Sequence, residues 1–149
     1  MKALSDLLLG LVAGFVIAFS ASNCAAQNQK ACTTPEEKQA LDEADTLKDW
    51  ESIHRSFIHY AQCDDGAIAE GYSDSIGRLL SRDWKDLRAL AKLGATDKKF
   101  EGFVLRHIDE TLSSDVLKTI ASNAEQSCPA DQTTLCKKIS LSARAASAK

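Results

Sequence analysis

The spacing of apolar positions predicts a chain built from short amphipathic helices, and the clearest of these runs from Asp97 to Glu110. At about 100° per residue, five of its side chains fall on one arc of a helix. They follow the i, i+3, i+4, i+7, i+8 pattern of a helix that faces a core, and they are Phe100, Phe103, Val104, His107 and Ile108. The segment is therefore predicted to be a core helix against which the other helices pack.

Capping residues divide the preceding part of the chain into two helices. Thr34 is the expected N-cap of the first helix, with Pro35 at its first position and Glu37 completing a capping box. Thr46, followed three residues later by Asp49, is the expected N-cap of the second. A break between them is required if the two ends are to meet, because an unbroken helix over 35–62 would hold its ends about 40 Å apart.

Turn residues and further caps mark the remaining helices. Asp65 is the expected N-cap of the third helix. Asp83 is predicted to cap a fourth helix, Trp84–Leu93, because one uninterrupted helix would bury its carboxylate in the apolar arc. The remaining boundaries are expected at Gly94 for the end of the fourth helix, Thr96 for the start of the fifth, Ser113 or Ser114 for the sixth and Pro129 for the last.

These elements predict an all-α fold with about seven short antiparallel helices, arranged as an orthogonal bundle or as a short stack of helical hairpins. The chain has 2 prolines and 7 glycines in 149 residues, which favours helices and is enough for one domain. We expect a polar leader at 27–33, a helical domain at 34–143 and a frayed tail at 144–149.

The first 26 residues have the composition of an export signal. Lys2 provides a positive charge, and Leu7–Phe19 is an apolar run of 13 residues, shorter than the roughly 20 that span a bilayer. Cleavage after Ala26 would leave a mature chain without a stable membrane span. We expect this chain to be periplasmic if the organism is a bacterium and secreted otherwise. The alternative is a retained membrane anchor.

The cysteines agree with export. Cys24 would leave with the signal, and the four that stay form the even number that an oxidising compartment favours. Lipid acylation of Cys24 is the alternative, although the preceding Ala21, Ser22 and Asn23 fit such a site poorly.

Of the three possible pairings, we predict two disulfides that each join the ends of a local unit. Cys32 precedes the first helix and Cys63 follows the second, so an antiparallel helix pair brings them together. Cys128 and Cys136 flank the turn before the last helix. Neither spacing is that of a zinc site, so no metal is expected.

The charged and polar residues offer one weak catalytic candidate. On a continuous helix His107 and Asp109 lie about 200° apart and cannot share a site, which leaves His107 with Glu110, three residues on. A core position explains His107 more simply. The sequence contains no H-E-x-x-H, G-x-S-x-G, P-loop or dinucleotide motif, so we expect no cofactor and no enzyme.

The formal net charge is −3, which gives no indication of nucleic-acid binding. Residues 34–51 are acidic, whereas residues 78–106 hold eight basic and four acidic side chains. Five of the basic residues fall within about 120° on a helical wheel. We predict that these five residues form a surface that docks an acidic protein or an anionic envelope component; the simpler interpretation is a solvated face. They are Arg78, Arg82, Lys85, Arg88 and Lys92.

The sequence thus favours a small exported, disulfide-stabilised binding protein of the inhibitor, immunity or envelope accessory type, with a protein partner. One alternative is a structural envelope protein with a retained anchor or a lipidated Cys24. The other is an enzyme that uses His107 and Glu110.

The intact mass of the mature protein tests the export prediction. We expect the mass of a chain that begins after Ala26, because cleavage there removes both the apolar run and the odd cysteine. A full-length mass, or one raised by acyl chains on Cys24, would contradict it.

Overall fold

The computed structural model describes residues 30–44 and 46–149. This part of the chain contains seven α-helices, three 3-10 turns and no strand. The helices are α1 (Thr34–Ala44), α2 (Trp50–Tyr60), α3 (Gly66–Arg82), α4 (Leu87–Thr96), α5 (Lys98–Arg106), α6 (Ser114–Gln126) and α7 (Thr133–Ser147). The all-α prediction is confirmed, whereas the predicted signal at 1–26, with Cys24, and residues 27–29 of the leader lie outside the described residues.

Aspartates begin several helices because their carboxylates accept hydrogen bonds from backbone N–H groups that have no partner within the helix. Asp49 caps α2, where Ser52 returns a bond to its backbone, and Asp97 caps α5 through the N–H groups of Lys99 and Phe100. The predicted caps Asp65 of α3 and Ser113 of α6 are confirmed.

Two of the three threonines predicted to begin helices instead lie at the ends of the preceding ones. The hydroxyl groups of Thr46 and Thr96 donate to the carbonyl oxygens of Glu43 and Leu93, three residues back. At the start of α1 the carboxylate of Glu36, not that of Glu37, binds back to the residue before the helix, Thr33. These predicted caps were wrong by one to three residues.

Close packing explains why α4 continues past Gly94. Gly94 is buried, and the Cβ atom of Glu101 lies 3.2 Å from the position that a side chain on Gly94 would occupy. The glycine therefore lets α5 approach α4 closely and does not end the helix. Asp83 makes no capping bond; it pairs with Arg78 at 3.4 Å, and a 3-10 turn, Trp84–Asp86, separates α3 from α4.

Two helix ends differ from prediction. Helix α5 ends at Arg106, with His107 as its C-cap, rather than at Glu110. Helix α7 reaches Ser147, because Ala143 and Ala146 are buried. Helix α7 therefore extends four residues beyond the predicted domain boundary at 143, into the segment 144–149 that was expected to fray.

The core is a single cluster to which all seven helices contribute. Its largest fully buried side chains include Trp50 of α2, Tyr72 of α3 and Phe100 and Phe103 of α5. Helix α3 packs against α1 and α6, while α6 pairs with α7. The whole predicted arc of the fifth helix is buried, which confirms its place in the core.

Both predicted disulfides are present. The Cα atoms are 4.9 Å apart for Cys32 and Cys63 and 6.0 Å apart for Cys128 and Cys136. The first is possible because the chain turns between α1 and α2 at residues 46–49. Of the helices described, none is long and apolar enough to cross a membrane.

Removing each disulfide by paired Cys→Ser substitution tests its contribution. We expect the free energy of unfolding to fall by about 3.5 kcal/mol without Cys32–Cys63 and by about 2.5 kcal/mol without Cys128–Cys136, because the first closes the longer loop. Urea unfolding measures both losses, and non-reducing peptide mapping checks the pairing. A Cys32–Cys136 link would contradict it.

Candidate functional site

Four polar side chains meet where α5 ends. The Ser73 hydroxyl oxygen, on α3, is 3.0 Å from Nδ1 of His107 and 3.0 Å from Oδ2 of Asp109. On the other side of the ring, Nε2 of His107 lies 3.1 Å from Oδ1 and 3.3 Å from Oδ2 of Asp64, in the turn before α3. We call these four residues, Asp64, His107, Ser73 and Asp109, the His107 network.

Aromatic rings pack against His107, and the two central residues of the network are buried. His107 is 4% exposed and Ser73 is 1% exposed. The imidazole lies 4.4 Å from the ring of Phe103 and 5.7 Å from that of Tyr72, measured between centroids. Burial raises the pKa of Tyr72 to about 12, although its bond to Ser56 opposes the rise. A substrate in solvent therefore has no direct access to the Ser73 hydroxyl.

The charge of Asp64 depends on this network. Burial by itself raises the pKa of Asp64, but the hydrogen bond and charge of His107, with a smaller effect of Arg106, outweigh it and lower the pKa. Arg106 places Nη2 3.5 Å from Oδ2 of Asp64. The carboxylate is therefore held in its charged form by two neighbouring side chains.

The predicted acid/base pair of His107 and Glu110 does not form. The chain leaves the helix after Arg106, so the angles of a continuous helix no longer apply. Asp109, which those angles excluded, binds the same hydroxyl group as His107. Glu110 is exposed, and its carboxylate pairs with Nζ of Lys149 at 3.1 Å.

Ser73 and Asp64 are members of the network that sequence reasoning missed. Asp64 had a simpler role as a turn residue. Ser73 is a polar residue beside Tyr72 within the apolar stripe of α3, and a small hydroxyl at a buried position was the available signal. Its partners are 34 and 36 residues away, too far for any local pattern.

Two of the five predicted docking residues are bonded within the protein, and three are not. Arg78 is half-buried and donates to the carbonyl oxygen of Leu47, and Arg88 pairs with Asp131 at 3.1 Å. The other three are exposed and have no ion-pair partner among residues 30–44 and 46–149: Arg82, Lys85 and Lys92.

A groove of about 450 Å³ lies between α6 and α7. The Cys128–Cys136 disulfide lines it, together with Leu141, which is 59% exposed. Arg144 forms a two-bond ion pair with Glu125 at its edge, with N–O distances of 2.7 Å. Within the described part of the chain, no group of three His, Cys, Asp or Glu side chains could hold a metal ion.

Comparison of the chain with protein-family models, curated proteins and solved structures finds no match.

Substituting Asp64 by Asn tests the electrostatic role of the network. Because the folded state lowers the pKa of Asp64, its contribution is complete above about pH 4 and is lost as the pH falls through the lowered pKa. We expect Asp64→Asn to cost about 2 kcal/mol at pH 7 and to make the acid-side loss of stability shallower.

Chemical unfolding between pH 2 and 7 measures this difference. The control is Asp65→Asn, because its amide oxygen keeps the N-cap of α3. Parallel acid-side curves for wild type and Asp64→Asn would contradict the assignment.

Proposed function

We propose that this protein is a small exported binding protein, stabilised by its disulfides, that acts by occupying the surface of an acidic protein partner. The observation that carries the proposal is three exposed cations that have no ion-pair partner among the described residues, at the end of α3, in the 3-10 turn that follows and on α4. We call Arg82, Lys85 and Lys92 the basic surface.

The basic surface has little value for stability. Exposed ion pairs contribute between zero and about 1 kcal/mol, and these three side chains lack even such a pair among the described residues. Their neighbours differ, since Arg78 fixes the chain around Leu47 and Arg88 joins α4 to Asp131. The three side chains are therefore available to a partner without loss to the fold.

Hydrogen bonds from side chains hold the backbone beneath the basic surface in place. Asn123 of α6 donates through Nδ2 to the carbonyl oxygens of Leu80 and Ser81 in the last turn of α3. The indole N–H of Trp84 donates to the carbonyl oxygen of Ser127 at 2.9 Å. A surface held in place before binding loses less conformational entropy when a partner docks.

The disulfides support the exported location. Structural disulfides persist in oxidising compartments and are rare in the cytosol of most organisms. Two of them in a chain of this length agree with the export composition of residues 1–26.

Charge reversal of the basic surface tests the proposal. We expect the wild type to retain an acidic partner from the exported fraction of the producing organism, and the triple variant Arg82→Glu, Lys85→Glu, Lys92→Glu to lose it. The association rate should fall by about tenfold or more, and added salt should weaken the wild-type complex, because complementary charge acts mainly on encounter.

The matched control reverses three exposed lysines elsewhere, Lys48, Lys99 and Lys137, and so makes the same change in net charge. The control should keep the partner. If the wild type and both variants retain the same proteins, or if binding does not respond to salt, the proposed docking surface is wrong.

A further inference from the structure

The hydrogen-bond donors of the His107 network can be counted. The Ser73 hydroxyl has one proton, and it faces Oδ2 of Asp109, a carboxylate oxygen that can only accept. When the hydroxyl donates there, its oxygen is left to accept from Nδ1 of His107 at 3.0 Å. The Asp64 carboxylate can also only accept, so Nε2 must donate to it.

We propose that His107 is held as an imidazolium ion in the folded protein, and that its second proton fastens the loop between α5 and α6 to α3. Both ring nitrogens act as donors, Nδ1 to Ser73 and Nε2 to Asp64. The cation lies between two anionic arms, with Asp64 in direct contact and Asp109 reached through the Ser73 hydroxyl.

Each neutral form of the ring leaves two acceptors facing each other. If Nδ1 lacks a proton and Ser73 donates to it, the Ser73 oxygen faces Oδ2 of Asp109 at 3.0 Å with no hydrogen between them. If Ser73 keeps its bond to Asp109, its oxygen faces the bare Nδ1 instead. If Nε2 lacks the proton, it faces Asp64 in the same way. The cation satisfies all three contacts.

The proton has a mechanical consequence because Asp109 also organises the loop. The backbone N–H and the hydroxyl of Thr111 donate to Oδ1 of Asp109, at 2.9 and 2.6 Å. Leu112 then packs on α3 where Gly77 leaves room, with a methyl carbon 2.6 Å from the position of an added Cβ. Without the proton on Nδ1, the bond that ties Asp109 to α3 is weakened, because Nδ1 then competes with Asp109 for the hydroxyl proton of Ser73.

Besides Asp64 and Asp109, two further charged or titratable side chains lie near the imidazole ring, one on α3 and one on α5. Tyr72, on α3, packs on the ring and gives its hydroxyl group to a bond with Ser56. Arg106, on α5, is exposed and directed towards Asp64. Neither side chain donates a hydrogen bond to Nδ1 or Nε2. The bonds to Ser73 and Asp64 therefore take their protons from the two ring nitrogens.

Nitrogen NMR of the histidine rings in the full-length, oxidised protein tests the proposal directly. At pH 7 we expect two protonated ring nitrogens for His107, each coupled to a slowly exchanging proton. The exposed His59 ring gives an internal reference for a solvated imidazole in the same spectrum. A His107 ring with one unprotonated nitrogen at pH 7 would overturn the proposal.

Asp109→Asn sharpens the test. The amide can donate to the Ser73 oxygen, which frees the hydroxyl to donate to Nδ1, so a neutral ring becomes fully satisfied. We expect the nitrogen spectrum of this variant at pH 7 to show one unprotonated ring nitrogen for His107, because the neutral ring then has a partner at every contact.

Asp74→Asn is the matched control, since Asp74 is exposed on α3 next to Ser73 and has no bond to the network. It should keep two protonated ring nitrogens at pH 7, as the wild type does. If Asp109→Asn also keeps both ring nitrogens of His107 protonated at pH 7, the second proton does not depend on Asp109 and the proposal fails.

Discussion

The rings of Phe103 and Tyr72 meet edge to face, with centroids 5.0 Å apart and planes at 83°, and this contact joins α5 to α3 in the core. Aromatic pairs in this geometry contribute about 1 kcal/mol beyond the area that they bury. Helix α5 ends one turn after Phe103, so this contact lies next to the point where His107 and the following loop meet α3. An apolar contact thus supports the neighbouring polar network.

The buried polar groups then narrow the possible arrangements of the core. Ser73 lies between a ring nitrogen and a carboxylate, and Ser56 lies 2.8 Å from the hydroxyl of Tyr72. A buried hydroxyl without a partner is costly, so a shift of α3 against α2 would lose the bond between Ser56 and Tyr72, and a shift against the end of α5 would lose the bond between Ser73 and His107. Apolar side chains alone would tolerate more than one packing.

The surface charges divide by role. Glu125 binds Ser140 and Arg144, and Glu101 binds Lys98 and Lys138, so each of these glutamates ties α7 to a neighbouring helix. The pKa of Glu101 is lowered chiefly by its bond to Lys138. Among the described residues, the side chains of the basic surface make no such ion pair, which is why the proposed function is assigned to them.

Sequence periodicity was sufficient to predict the helix number, the buried arc of α5 and both disulfides, because each of these depends on residues close in sequence or on the ends of a local helix pair. The helix boundaries were less predictable. Glycine is a residue type that often ends helices, yet Gly94 lies inside α4, where Glu101 of α5 packs closely against it. Threonine is a common N-cap residue, but the carboxylates of Asp49 and Asp97 are stronger acceptors, and they cap the helices in place of Thr46 and Thr96.

By itself, then, the sequence determined the all-α class, the core face of α5 and the cysteine pairing. Only the tertiary structure decided that α5 stops at Arg106, that Asp109 joins His107 and that Glu110 pairs with Lys149 instead. The physical reason is the range of the interactions. Helix formation and apolar periodicity act over a few residues, whereas the hydrogen bonds to Ser73 join residues more than 30 positions apart and exist only after α3 and α5 have packed.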